Sequence, residues 1–333
     1  MGLREERMPP KEKQNFLQPW RRLHPNFVPK SNRPNLRQMW KQLYADRMLY
    51  IILLPTILYF LIFRLWPILG MRLAFYEYKA RGPWTFVGLK YFKMIFRTSA
   101  FTDILSNTMI ISFMKFILLF PFFVLFAILL NELRVVGFRK YVQIISYMPH
   151  FLSWVVIAGI WIAALSPSTG SVNQILGIFN LPSIDFMTDK SKIRWILMLS
   201  EAWRSIGWDS IFYFTAILGI PSDLYEAAEI DGANRMSIIR YIILPALITP
   251  MVTVFILNLG FFLNAGFDQV LNFSNDAVLS AVDILDTYIY RIGIQNAQYS
   301  LSTAVSLIKG VVGVFLVLAT HLISKKITGK GVW

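Results

Sequence analysis

The sequence predicts an all-α polytopic membrane protein, with six transmembrane helices and a polar helix-turn-helix between spans 4 and 5. Three observations carry this. Of 333 residues, 56% are hydrophobic and only 16% charged, with a mean hydropathy of +0.52; a water-soluble domain carries about 25% charged residues. Six predominantly apolar runs lie near residues 48–69, 104–130, 141–165, 193–218, 244–266 and 300–323, each about the ~20 residues a helix needs to cross a hydrocarbon core. Finally, backbone amides in lipid find no water, so spanning runs of this length are helices and not open strands.

Residues 1–35 are polar and rich in proline (Pro9, Pro10, Pro19, Pro25, Pro29, Pro34), the composition of a disordered arm. Over residues 36–47, Leu36, Met39, Trp40, Leu43 and Tyr44 recur at three- and four-residue spacing among Arg37, Lys41 and Arg47. That pattern is an amphipathic helix at the inner interface; the ordinary start of a tilted membrane helix accounts for it equally. The chain carries a net charge of +14, and eleven of its 33 Lys and Arg precede residue 48. Basic residues beside a first span mark the cytoplasmic side and attract anionic lipid. No nucleic-acid-reading motif accompanies them, so a membrane-surface role is the simpler account.

From that start, six spans place both termini in the cytoplasm, in a bacterial cell membrane. Lys325, Lys326 and Lys330 of the predicted tail 325–333, and Arg134, Arg139 and Lys140 between spans 2 and 3, agree. Two loops fit less well: residues 70–103 carry six basic residues outside, and the inside 219–243 loop is acidic. The first span usually dominates orientation. The basic lead has no small-residue cleavage site after the first apolar run, so no cleavable signal is expected. Turn residues Gly82-Pro83-Trp84 and Gly88-Leu89 shape the first outer loop. A short helix is expected within 166–192, and Val282, Leu285, Tyr288 and Ile289 predict an ordered helix within 267–299.

Between spans 4 and 5 the sequence predicts two short helices. Pro221 and Ser222 stop span 4; Asp223 and Glu226 have the spacing of a capping box. Leu224, Ala227, Ala228 and Asp231 share one face, where the alanines permit close approach of another backbone. Gly232 supplies a turn that side-chain-bearing residues resist. A second helix through Ile238, Ile239, Tyr241 and Ile242 reaches Leu244-Pro245, where Pro245 starts span 5. A plain helical loop is the bland alternative.

Glu226-Ala227-Ala228, Asp231-Gly232-Ala233, Ile242 and Leu244-Pro245 resemble the EAA signature of binding-protein-dependent importer permeases. Ile239 departs mildly from the Phe common in sugar permeases. Further similarity to the polysaccharide branch, of LplB type within the maltose-permease superfamily, lies in Asn131-Glu132-Leu133-Arg134, Ser146 to Phe151, Ser153 to Val156, Gly207-Trp208, Asp286-Thr287-Tyr288 and Tyr290-Arg291. The resemblance covers nearly everything after residue 45. It implies a permease domain over 48–324 that pairs with a second homologous permease, receives an oligosaccharide from an extracytoplasmic binding protein, and is driven by two ATPase subunits that bind ATP and Mg. The Glu at the position of Glu226 would face basic groups on an ATPase, and Ala227, Ala228, Asp231, Gly232, Ala233, Leu244 and Pro245 would complete the coupling element.

Charged residues within spans should be paired or face water. They are Arg64, Lys115, Glu201, Arg204, Asp209 and Lys309. Arg64 lies near a span end and can snorkel. Glu201 and Asp209 are the natural partners for Lys115, Arg204 or Lys309, either as structural pairs or as a polar pathway. Trp154, Trp161, Trp195, Trp203 and Trp208 are interface anchors or sugar platforms. Asn258 and Asn264 are pore candidates whose amides suit sugar hydroxyls, although interhelical bonding is the commoner use of Asn.

Enzyme signatures are absent. No phosphate-binding GxxxxGK[ST] loop occurs, cysteine count is zero, and His24, His150 and His321 are scattered, so neither ATP hydrolysis nor a metal or other cofactor is expected of this chain. An ion-coupled secondary transporter would need inverted repeats and midplane carboxylates. A membrane-bound transferase would need metal-binding partners for Glu226 and Asp231. Six basic residues in 70–103 point to an acidic cargo of uronate type.

Overall fold

A computed structural model describes residues 44–328. The predicted arm, residues 36–43 of the interfacial helix and residues 329–333 of the tail lie outside the described residues. Contacts divide the chain into two units at Gly70.

The first unit holds α1 (Arg47–Phe60), a π-helical turn (Leu61–Leu65) and α2 (Trp66–Gly70). Every residue from Arg47 to Gly70 is exposed, and the helix is apolar on all sides. A helix of that composition is stable only in an apolar medium or a larger core.

The second unit opens with a two-stranded antiparallel hairpin, β1 (Tyr76–Glu77) and β2 (Thr85–Phe86), pairing Tyr76 with Phe86 and Glu77 with Thr85. Gly82 (φ +99°) turns it. There follow α3 (Lys90–Arg97), α4 (Ser99–Phe113), a π turn (Met114–Leu118), α5 (Leu119–Glu132), α6 (Val136–Tyr147), α7 (Trp154–Leu165), α8 (Ser171–Ile178) and α9 (Ile193–Leu218). Then come α10 (Ser222–Ile230), α11 (Arg235–Ile238), a π turn (Ile239–Ile243), α12 (Leu244–Leu259), α13 (Phe267–Phe273), α14 (Leu279–Val282), α15 (Leu285–Tyr290), a π turn (Arg291–Gln295) and α16 (Tyr299–Thr328).

Proline explains three of these π turns. Pro67, Pro121 and Pro245 each lack the N–H for an i−4 bond, and in a regular α-helix their rings would clash with the carbonyls of Phe63, Ile117 and Tyr241, whereas Pro55 and Pro250 sit inside helices without a π turn. Each of those carbonyls lies inside a π turn. Widening the helix by one residue relieves the clash without ending it. So α11 and α12 form one helical run, Arg235–Leu259. Pro245 therefore does not begin span 5; it widens a helix already under way.

Among the described residues, four helical runs qualify as membrane spans by length and apolarity, Arg47–Phe75, Ser99–Glu132, Arg235–Leu259 and Tyr299–Leu322, and a fifth if a bent pair is counted as one. The predicted third span is not straight. Helix α6, a 3₁₀ turn (Met148–Phe151) and α7 bend by 104°. Pro149 and the extended backbone of Leu152 and Ser153 break the ladder, and Ser153 caps α7 by accepting from Val156 N–H. Helix α9 coincides with the fourth predicted span but carries Arg194, Glu201, Arg204 and Asp209. The single helix predicted around 282–289 is interrupted at Asp283 and Ile284 between α14 and α15. At the other end, α16 continues through Thr328, so the first residues of the predicted tail are helical.

Three apolar clusters bind the second unit. One joins Ile111, Ala158, Ile193, Leu197, Val270 and Phe273. Another joins Ile95, Phe101, Ile104, Leu285, Ala304 and Val305. The third joins the C-terminal halves of α5 and α9 to the 239–247 stretch through Ala127, Leu130, Tyr213, Ile217, Ile243 and Leu247.

Candidate functional site

Helix α10 and its turn stand at the edge of the third cluster. Tyr225 packs half-buried against it, while Leu224, Glu226, Ala227, Ile230 and Asp231 are exposed and Ala228 is half-buried. Asp223 lies inside the first turn and Pro221 holds the N-cap position without a side-chain bond. The predicted Asp223–Glu226 capping box is therefore not formed: the helix begins two residues too early for it, and Asp223 instead complements the helix N-terminus as a first-turn acid.

The turn is sharply defined. Ala233 N–H donates to the Ala228 carbonyl at 2.9 Å and Gly232 N–H to the Glu229 carbonyl at 3.0 Å, with Gly232 at φ +74°. This 6→1 and 5→2 pair is a Schellman motif, for which a left-handed residue is required. Asn234 then caps α11 by accepting from Ser237 N–H at 2.9 Å. Leu244 and Pro245 sit one helical run further on, both exposed. The candidate coupling residues thus share one element whose outer side carries Leu224, Ile230 (87% exposed) and Met236. Burial raises the pKa of the Tyr225 hydroxyl, and the nearby Glu132 carboxylate adds to the shift.

The other candidates meet in one cavity of about 780 Å³. Its wall includes Lys115, Glu201, Asp209, Asn258 and Asn264, all five residues singled out as a polar pathway. Lys115 donates to the Ala265 carbonyl at 2.7 Å and to the Gln269 amide oxygen, and lies 3.2 Å from Glu201 Oε2. Gly266 makes room for it: φ is +94° and a Cβ there would stand 2.6 Å from Lys115 Nζ. Gln269, fully buried, donates in turn to the Leu197 carbonyl and Ser200 Oγ, and Ser205 Oγ donates to Glu201. Two further wall groups, Ser112 Oγ and Tyr213 Oη, are buried without a hydrogen-bond partner among the described residues. Asp209 is exposed on the wall and has no ion pair among the described residues.

The remaining span charges depart from expectation. Lys309 pairs with Asp286 at 2.6 Å and donates to Asn264 Oδ1 at 2.9 Å; neither Glu201 nor Asp209 is its partner. Arg204 makes no ion-pair contact with a carboxylate among the described residues. It donates to the His150 carbonyl at 3.3 Å and lies over the Trp154 ring at 5.0 Å, which suits a guanidinium in apolar surroundings. Trp208 stacks on His150 with centroids 4.3 Å apart. Trp154 and Trp161 pack on the first cluster, and Trp195, Trp203 and Trp208 are exposed. Gln269 and Gly266 had no periodic signal to announce them, and the search for partners of Lys115 pointed to Glu201 and Asp209 instead.

Comparison with known proteins gives a consistent picture. Residues 97–329 match the family model described as "Binding-protein-dependent transport system inner membrane component". Protein LplB of Bacillus subtilis (strain 168) is 36% identical over 294 residues, covering 87% of this chain and 92% of LplB. The polygalacturonan/rhamnogalacturonan transport system permease protein YteP of the same strain is 35% identical over 297 residues, covering 88% and 92%. Among solved structures, a chain of a bacterial ABC transporter involved in import of the acidic polysaccharide alginate superposes with a TM-score of 0.81 at 37% identity, covering 87% of this chain and 99% of that one. The bacterial alginate ABC transporter in complex with alginate pentasaccharide-bound periplasmic protein gives the same score and identity, covering 88% and 99%.

Proposed function

The chain belongs to the binding-protein-dependent transport system inner membrane component family, and on that premise we propose how its two candidate sites divide the work of an ABC importer permease. Membership sets aside the ion-coupled alternative. The chain is a helical, multi-pass permease subunit of an importer.

In this reading the chain crosses the bacterial membrane six times, with the bent 136–165 pair and α9 as the third and fourth spans and both termini in the cytoplasm. Helix α10 docks in a cleft on an ATPase subunit, Glu226 faces basic groups there, and Gly232 holds the angle between α10 and α11. ATP and Mg are bound by two such subunits and not by this chain. A second, homologous permease completes the pore, and an extracytoplasmic binding protein delivers the cargo. The observation that carries the coupling role is the exposed α10 face joined through a Schellman turn to one unbroken helical run, Arg235–Leu259. Movement at α10 is thereby passed to span 5.

The cargo is an oligosaccharide, and we assign it to the acidic, uronate class. Relatives named for polygalacturonan and alginate support this, as do the six basic residues of 70–103. Lys115, Glu201, Asp209, Asn258 and Asn264 line its path.

Co-purification tests the coupling role. Glu226→Lys and Gly232→Pro should each lose the ATPase subunit or reduce ATP-dependent uptake by about tenfold or more, since coupling energies of 1–3 kcal/mol correspond to 5–150-fold. Retention of the ATPase with full uptake in both variants would defeat the assignment.

A further inference from the structure

Glu132 is the last residue of α5, and Arg235 the first of the Arg235–Leu259 run. Each charge stands at the wrong end of its own helix. A carboxylate is disfavoured at a C-terminus and a guanidinium at an N-terminus, because the backbone dipoles there already carry the same sign. The two side chains lie 3.5 Å apart, Glu132 26% and Arg235 53% exposed. Each answers the other across the gap between the end of α5 and the start of α11. At the same junction Leu133, Val142, Tyr225, Ile238 and Ile239 pack half-buried against the third apolar cluster. A local arrangement that is unfavourable for both helices but favourable between them is a mark of positioning.

We propose that Glu132 and Arg235 form a second joint of the coupling region, fastening the end of span 2 to the helix that follows the Gly232 turn. This rests on the ATPase-coupling reading of α10. Displacement of α10 then carries span 2 along with span 5, and Lys115, on span 2, transmits it to the cavity wall. Both are positioning residues; neither touches cargo or nucleotide.

Charge exchange tests this, because it separates pairing from local helix stability. Glu132→Arg improves the end of α5 taken alone but sets two cations face to face. The assembled importer is reconstituted with wild type, Glu132→Arg, Arg235→Glu and the exchanged double variant Glu132→Arg/Arg235→Glu. Co-purified ATPase is quantified, and cargo taken up per ATP hydrolysed is measured with a binding protein loaded with uronate or with neutral oligomers. We expect normal ATPase binding throughout, about a fivefold or greater loss of uptake per ATP in each single variant, and recovery to within about twofold in the exchanged pair. Single variants with wild-type uptake per ATP, or an exchanged pair no better than the singles, would overturn the joint. A wild-type importer whose ATPase neither cargo couples to uptake would sink the coupling reading and this inference with it.

Discussion

At the scale of single residues, Lys115 is where sequence and structure inform each other most. A lysine amid apolar neighbours had to find a countercharge, and the acids of span 4 were the natural place to look. The structure selects Glu201 and adds the Ala265 carbonyl and Gln269, which no spacing rule foretells because they lie 150 and 154 residues away. With side chains only 13% and 19% exposed, removal of one partner strands the other. Glu201→Leu or Lys115→Met alone should therefore lower stability by about 3–5 kcal/mol, and the double Lys115→Met/Glu201→Leu by clearly less than their sum. Thermal unfolding of the four proteins in detergent closes this cycle; additive losses would show that the pair is not coupled. Gly232 was legible for the opposite reason. Its role is backbone conformation, which needs only the one residue type that adopts φ +74° freely.

At the scale of elements, what could be read was length and punctuation; what could not was direction. Hydropathy alone does not distinguish a straight span from a bent one over 141–165; the break lies in the 3₁₀ turn at Pro149 and the extended Leu152 and Ser153 beyond it. The prolines themselves are informative once the ladder is considered, as Pro67, Pro121 and Pro245 show by lying just beyond π turns. Packing fixes the bent pair against α9. A Cβ on Gly207 would overlap the Ser146 carbonyl carbon and oxygen, whereas Gly159 on α7 has open space around it. Gly207→Ala should cost about 1–3 kcal/mol as overpacking against backbone, and Gly159→Ala should be neutral or slightly stabilising, as expected for an exposed helical glycine. Melting temperatures of the two variants check this directly. Equal behaviour would mean that the α6–α9 contact is not the close approach seen here. Loss of the Ser153 cap in Ser153→Ala belongs to the same element and should cost about 1 kcal/mol.

At the scale of the whole molecule, charge is segregated in a way that bears on the cargo. Residues 70–103 hold six basic and two acidic residues. Lys90 is engaged by Glu77 and Arg72 lies over Trp84, which leaves Lys79, Arg81, Lys93 and Arg97 exposed without an ion pair among the described residues. On the cavity wall the balance reverses. Lys115 and Glu201 compensate each other, and Asp209 remains. A polyanion would thus be attracted at the basic loop and not held by charge at the cavity wall of this chain, an arrangement that favours capture followed by release. Electrostatic steering raises encounter rates by about 10–10³-fold and decays over a Debye length of about 10 Å at 0.1 M salt. Replacing Lys79, Arg81, Lys93 and Arg97 by Gln should lower uptake of uronate oligomers about tenfold at low ionic strength while sparing neutral oligomers. Raising salt to about 0.5 M should bring wild type down toward the variant, since exposed charges are then screened within a few ångströms. Equal loss for both cargoes would place these residues in a structural role or at the binding-protein contact. A salt-insensitive difference would mean that a uronate preference arises from contacts inside the pore and not from the charge of the 70–103 segment.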